Sequence, residues 1–257
     1  KDVGYAPKSP FGTRLKNLSL TVKAGEVLGI GGVAGNGQDE LLSVLSGEAR
    51  AQSGSVTFQG QNINKLGPNA RRALGLLAAP EERLGHAAAP NMSLIENTAL
   101  TATIRKKLSK NNFINWSKTE GFAKEIIKTF DVRTPSAAAA ARSLSGGNLQ
   151  KFVIGREVMQ HPKVLVVNQP TWGVDASAAA QIRQALLDLA AGGAAVICIS
   201  QDLDELMEIS DHFTALNEGR LSPPRTAKGL TVEEIGLMMG GVEETGSAPV
   251  TTAGVSA

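Results

Sequence analysis

Short runs of consecutive apolar, often β-branched residues recur along the chain, separated by longer segments whose apolar positions fall at helical spacing. This alternation predicts an α/β layered fold rather than separate sheets and bundles. The runs place strands at residues 18–22, 27–31, 55–58, 74–78, 164–167, 195–200 and 212–216. The stretch KVLVVNQP carries no polar alternation, which is the pattern of a strand buried on both faces.

Between residues 85 and 160 the strand pattern disappears. NMSLIENTALTATIRKKL, WSKTEGFAKEIIKTFDV and GGNLQKFVIGREVMQ all have helical period, with Asn91 or Ser93 and Ser117 as expected caps. The expected division is an α/β core over 1–85 and 161–225, a helical subdomain over 86–160 and a helical extension over 226–245. The alanines at 137–141 form a soft connection ahead of RSLSGGN. Residues 246–257 are small, polar and aperiodic, the composition of a disordered tail.

A chain of 257 residues buries a sizeable core. Its net charge of +2 arises from well-mixed acids and bases, so composition gives no electrostatic case for nucleic acid as main partner. The single cysteine, Cys198, excludes an internal disulfide and a CxxC metal site, and its apolar neighbours predict a buried core thiol. No run reaches the roughly 18 apolar residues of a membrane span. The chain opens on Lys1, as a piece of a longer chain would. His161 and His212 flank strands and are expected at the surface or at strand ends, and Trp116 is expected to pack a helix of the subdomain.

IGGVAGNGQDELL has the outline of a phosphate-cradling loop: an apolar strand, a glycine-rich turn, then a helix start. In the pattern G-x-x-x-x-G-K-S/T, Gly32 and Gly37 take the glycine positions, with Gly35 and Asn36 between them, while Gln38 replaces lysine and Asp39 the hydroxyl residue. An intact loop wraps phosphates with backbone N–H groups, bridges them with lysine and holds magnesium through the hydroxyl. Here the backbone part survives and both side-chain parts are replaced.

Farther on, Leu144-Ser145-Gly146-Gly147-Asn148 stands directly ahead of an apolar-periodic helix, which is followed by the strand VLVVNQP. With these elements in this order, residues 10–240 resemble the nucleotide-binding domains of ATP-binding cassette transporters, whose signature is L-S-G-G-Q. The resemblance implies a P-loop cassette core, a mixed β-sheet flanked by helices, with an inserted α-helical signature subdomain. It also implies roles for further residues. Asn168-Gln169 stand where Walker B ends in Asp-Glu, and Gln201 where the switch histidine would be. Glu81 occupies the place of the Q-loop glutamine, and Asp175 is the acid of the D-loop.

In this family two domains pair head to tail, each nucleotide lying between the Walker motifs of one and the signature of the other. The implied reading is a cassette with no competent catalytic group in its own site, which completes a partner's site with residues 144–148. GVAGNGQ, PEER, LSGGNLQK, NQPTWGVD and SQDLDEL together look like the second, degenerate cassette of tandem sugar and nucleoside importer ATPases, and FDVRTP leans toward the nucleoside type. Asp39 and Gln201 depart from that group, where serine and glutamate would be usual. The resemblance further implies ATP, bound weakly or in a regulatory way in this half, magnesium mainly at the partner site, and no resident metal. Implied partners are a competent cassette, expected in the same chain, transmembrane permease subunits and, indirectly, a substrate-binding lipoprotein, but no nucleic acid. The expected location is cytoplasmic, peripheral at the inner face of the membrane. The permease is expected to dock at Glu81 to Arg83, His86 and PNMSLIEN. Tyr5 and Phe11 are candidates by position to stack adenine, and Trp172 to approach the dimer interface. A stand-alone regulatory binding module is the alternative; a ribosome-remodelling cassette and a P-loop kinase fit less well, lacking the required lysine.

Overall fold

The computed structural model describes residues 1–241. In chain order, β1 (Val3–Tyr5) and β2 (Leu15–Leu18) precede β3 (Val27–Gly31) and α1 (Gln38–Ser46). The hairpin of β4 (Thr57–Phe58) and β5 (Gln61–Asn62) and then α2 (Pro68–Leu74) lead to β6 (Leu76–Ala79). Next come α3 (Leu94–Ala102), β7 (Ser109–Lys110), β8 (Phe113–Ile114), α4 (Trp116–Thr129) and α5 (Gly146–Val158). The chain continues through β9 (Val164–Asn168), α6 (Ala176–Ala191), β10 (Ala195–Ser200), α7 (Leu203–Ile209) and β11 (His212–Asn217). It closes with β12 (Arg220–Leu221), β13 (Arg225–Thr226) and α8 (Val232–Met239).

The main sheet has the order β12-β11-β3-β10-β9-β6, with β13 also paired to β11. Its five central strands are parallel, and the register sets Ser200 beside Gly31 and Ile199 beside Asn168. The carboxyl ends of β3, β9 and β10 therefore meet at one edge, where ligands bind in open α/β sheets. Side chains alternate between two cores. Val196, Cys198, Leu165 and Val167 face the helices, whereas Ile197, Ile199, Val166 and Leu28 face α1 and the small antiparallel layer. Cys198 is buried as expected, and burial beside Glu205 pushes its thiol well above the usual value.

Two buried arginine sites tie the layers together. Arg71 donates from Nε to Leu66 O (3.0 Å) and from its terminal nitrogens to the carbonyls of Val44 (2.6 Å), Leu45 (2.8 Å) and Ile63 (3.0 Å). It thus satisfies carbonyls that the end of α1 leaves open. Glu157 on α5 accepts from Arg72 of α2, from Arg156 Nε at 2.9 Å and from Thr101 Oγ1 of α3 at 3.2 Å. Arg156 also reaches the carbonyls of Asn97 (3.1 Å) and Ala87 (2.8 Å). The two guanidinium groups hold the Glu157 carboxyl low against the opposing effect of burial.

Several expectations need correction. The strand expected at 18–22 lies instead at Leu15–Leu18, where it pairs with β1 and buries Leu15 and Leu18. The region 85–160 is not free of strands, since β7 and β8 form a hairpin through Asn111 and Asn112, both in the left-handed region at φ 50° and 64°. That is the backbone of a two-residue hairpin turn. Asn115 caps α4 by accepting from Lys118 N at 3.0 Å, so Ser117 lies inside the helix and Trp116 begins it, 51% exposed rather than packed. Of the alternatives for α3, Ser93 is the cap, in a reciprocal box with Glu96. His161 is exposed and His212 half-buried at a strand start. The expected tail at 246–257 lies outside the described residues; of the extension at 226–245, α8 is described.

Candidate functional site

At the carboxyl end of β3 the chain turns through residues 32–37 into α1. Gly35 (φ 83°) and Gly37 (φ 112°) adopt left-handed backbone, and a methyl group on Gly32 would meet Leu216 O at 2.6 Å. Glycine is therefore required by the turn's shape. Three contacts pin the loop. Thr13 Oγ1 donates to Gly35 O (2.5 Å), Gly219 N to Asn36 O (2.9 Å) and Glu218 N to Asn36 Oδ1 (3.0 Å). Gln38 turns back into the loop, its Nε2 donating to Val33 O at 2.8 Å, and is buried.

Asp39, on the first turn of α1, is bound to β9. Asn168 Nδ2 donates to Asp39 Oδ1 at 2.9 Å, while Asn168 Oδ1 is buried without a partner among the described residues. Glu81 faces the same charge, and burial together with the nearby Asp39 carboxylate raises its pKa, with Arg83 opposing. A cleft of about 700 Å³ lies here, lined by Asp39, Glu81, Arg83, His86, Gly146 and Trp172, among others. His86 Nε2 lies 2.9 Å from Glu48 Oε2 at its rim.

Gln169 follows β9 with its backbone in the left-handed region (φ 52°), and its Oε1 accepts from Gln201 N at 3.4 Å and Ser200 Oγ at 3.5 Å. Gln201 thus approaches Gln169 through its backbone, while its side chain is on the exposed side. Ser200 Oγ also donates to Glu205 Oε2 (2.8 Å); burial raises the pKa of that carboxyl. The structure therefore brings Gln38, Asp39, Glu81, Asn168, Gln169 and Gln201 to one sheet edge.

The signature segment begins α5. Ser145 Oγ caps the helix, accepting from Asn148 N at 3.4 Å and Asn148 Nδ2 at 2.8 Å. Asn148 Oδ1 accepts from Arg133 N at 2.8 Å, so its amide is fully engaged within the chain. Ser145 and Gly146 remain exposed, Gly147 is half-buried and Leu144 packs partly on the core. Asp175 caps α6 through Ala178 N at 2.9 Å, and that bond holds its carboxyl low. Its local task is helix capping.

Two residues of the site, Gln150 and Thr13, were not anticipated, and Arg83, expected only at a permease contact, has a structural role beside them. Arg83 Nε donates to Gln150 Oε1 (2.9 Å), and Gln150 Nε2 donates to Pro170 O (2.8 Å), joining the Glu81 loop, the signature helix and the segment after β9. Thr13 is the other, and no local pattern announces it. A polar residue inside the apolar run of NLQKFVIG was the available signal for Gln150. Of the two aromatic candidates, Tyr5 packs partly on the core, whereas Phe11 is 96% exposed two residues before Thr13. Trp172 is exposed at the cleft.

The family profile described as ABC transporter matches residues 15–172. The guanosine import ATP-binding protein NupO of Bacillus subtilis is 36% identical over 88% of this chain and 44% of its own length. The glucose import ATP-binding protein TsgD13 of Haloferax volcanii is also 36% identical, over 91% of this chain and 43% of its own. The chain thus spans about half the length of the curated relatives it matches. Among solved structures, the ATP-binding cassette MJ0796, a dimer in a post-hydrolysis state with ADP and Pi, superposes with a TM-score of 0.74. That match has 21% identity and covers 90% of this chain and 98% of the other, a likeness of fold. Together with the cassette architecture and the loop at the end of β3, the profile match shows that the chain belongs to the ABC transporter family of ATP-binding cassettes.

Proposed function

We propose that this chain is the nucleotide-binding half of an importer ATPase for nucleosides or simple sugars, impaired in its own nucleotide cleft and contributing its signature to a partner cassette. The observation that carries the reading is the Asp39–Asn168 pair beside Glu81. A triphosphate needs positive charge here. Instead Asp39 and Glu81 are carboxylates, Asn168 is uncharged, and the Gln38 amide is bonded to Val33 O. Carboxylates can ligate magnesium, but the loop itself offers no cation to the phosphates and Asp39 adds repulsion. A charge-assisted hydrogen bond is worth about 1.5–3 kcal/mol, so loss of the lysine and added repulsion weaken binding on the order of a thousandfold.

Gln169 holds the place of the base that accepts a proton from the attacking water, and an amide cannot do so at neutral pH. The exposed Ser145 hydroxyl and the N–H groups of Gly146 and Gly147 at the start of α5 suit a terminal phosphate presented from a partner. The core at 1–85 and 161–225 would carry the impaired face, and the helical subdomain at 86–160 the open one. The relatives at about half coverage support a tandem partner in the same polypeptide, with permease subunits as the membrane component. The ATPase would then lie peripherally at the inner membrane face.

Calorimetric titration of the chain with ATP, with and without magnesium, tests the reading. The expected result is no binding below the millimolar range. Micromolar, magnesium-dependent binding would overturn the impairment.

A further inference from the structure

Residues 97–119 carry five cations, Arg105, Lys106, Lys107, Lys110 and Lys118, and no acid. None of the five is in an ion pair among the described residues. The nearest following acid, Glu120, is already bound to Lys124 Nζ at 2.7 Å. Apolar exposure concentrates in the same place. Leu100, Ile104, Phe113, Ile114 and Trp116 are five of the eleven large hydrophobic residues exposed in the described chain, and Phe113 is 79% exposed.

Backbone contacts fix the path of this segment. Asn111 and Asn112 close the β7–β8 turn, Asn115 N donates to Leu108 O at 2.7 Å, and Leu108 is buried at the base. Lys118 Nζ, donating to Lys107 O at 3.1 Å, ties the start of α4 to the hairpin. With the hairpin held in this path, Phe113 directly after the turn stands clear of the core.

We propose that this hairpin docks on an anionic phospholipid surface, with Phe113 and Trp116 entering the headgroup layer and Lys107, Lys110 and Lys118 bound to lipid phosphates. Aromatic rings favour the membrane interface, and basic clusters with interleaved apolar residues bind anionic leaflets. A protein partner is the poorer match, because lysine is depleted at the cores of protein interfaces. This inference stands apart from the nucleotide reading: it uses none of the cleft residues.

The test is co-sedimentation of the chain with vesicles of phosphatidylcholine alone or mixed with phosphatidylglycerol, at low and high salt. Preferential, salt-sensitive binding to the mixed vesicles is expected, falling about tenfold or more in Lys110→Glu, which changes two charges. Phe113→Ser with Trp116→Ser should also weaken binding, and both variants should keep the parent's circular dichroism because the altered side chains are exposed. In a Trp172→Phe background, emission from Trp116 should shift to the blue on the mixed vesicles. Equal binding to both vesicle types, unchanged binding of the variants, or membrane recovery only when a permease is present would overturn the proposal.

Discussion

The two segments proposed to meet phosphate, the start of α1 and the start of α5, differ in how they use their polar groups. On the α1 side, Gln38 is bonded to Val33 O, Asp39 to Asn168, and Gln169 to the Gln201 amide. On the α5 side, Ser145 and Gly146 stand exposed, and only their cap and its asparagine are engaged internally. One face commits its polar side chains to internal bonds, and the other keeps its serine and first glycine exposed. The difference teaches that the loop's backbone shape rests on glycine and local hydrogen bonds and needs no charged side chain to hold it.

The largest effect should come from removing what anchors the α5 face. Glu157→Ala would leave the buried Arg156 and the partly buried Arg72 without their carboxylate, and breaking such a site costs about 3–5 kcal/mol. Thermal denaturation should show a large fall in Tm. A near-neutral result would mean that α5 is positioned by apolar packing alone.

Next in size is a change to the α1 face. Gln38→Lys combined with Asp39→Ser restores a cation and a hydroxyl to the loop, and two charge-assisted bonds should tighten ATP binding by roughly a hundredfold or more. Calorimetry reads the change directly. Unchanged affinity would place the defect in Asn168 and Glu81 instead. The α5 face has its own probe, Ser145→Arg in the complete transporter. Bulk and charge at the helix start should cut ATP turnover at least about tenfold if Ser145 meets a terminal phosphate; normal turnover would end the proposed contribution to a partner.

Both faces were partly legible before the structure. The strands β3, β9 and β10 are nearly continuous apolar runs, and burial on both faces leaves that mark. The loop and the signature were legible because glycine at φ 83° and 112° and a serine cap are local requirements. What escaped was non-local. The Glu157 cluster joins three helices, and its members look like solvated charges on a helical period. The β7–β8 hairpin escaped because two-residue strands carry no period, although Asn-Asn is a turn signal. Nor could sequence show that Gln38 would fold back on Val33, since a free glutamine and a bonded one are the same letter.

The smallest effect reads the combined cost of burying the Glu81 carboxylate and of holding it beside Asp39. The Glu81 carboxyl has its pKa raised from 4.5 by burial first and by Asp39 second, with Arg83 opposing. A carboxyl raised on folding is protonated more readily in the native state, so the native state binds more protons than the unfolded chain in this window. Stability is then full below the unfolded value near 4.5 and declines as pH rises through the folded value. Glu81→Gln removes that decline, so its Tm advantage over the parent should grow from acid toward neutral pH. The gain should be well under 1 kcal/mol, because the side chain is only half-buried and solvent screens it. Glu205, also raised by burial, is present in both proteins and cancels in the difference. A Tm difference that is flat across this range, or that shrinks as pH rises, would mean that neither burial nor Asp39 holds the Glu81 carboxyl up in the folded chain.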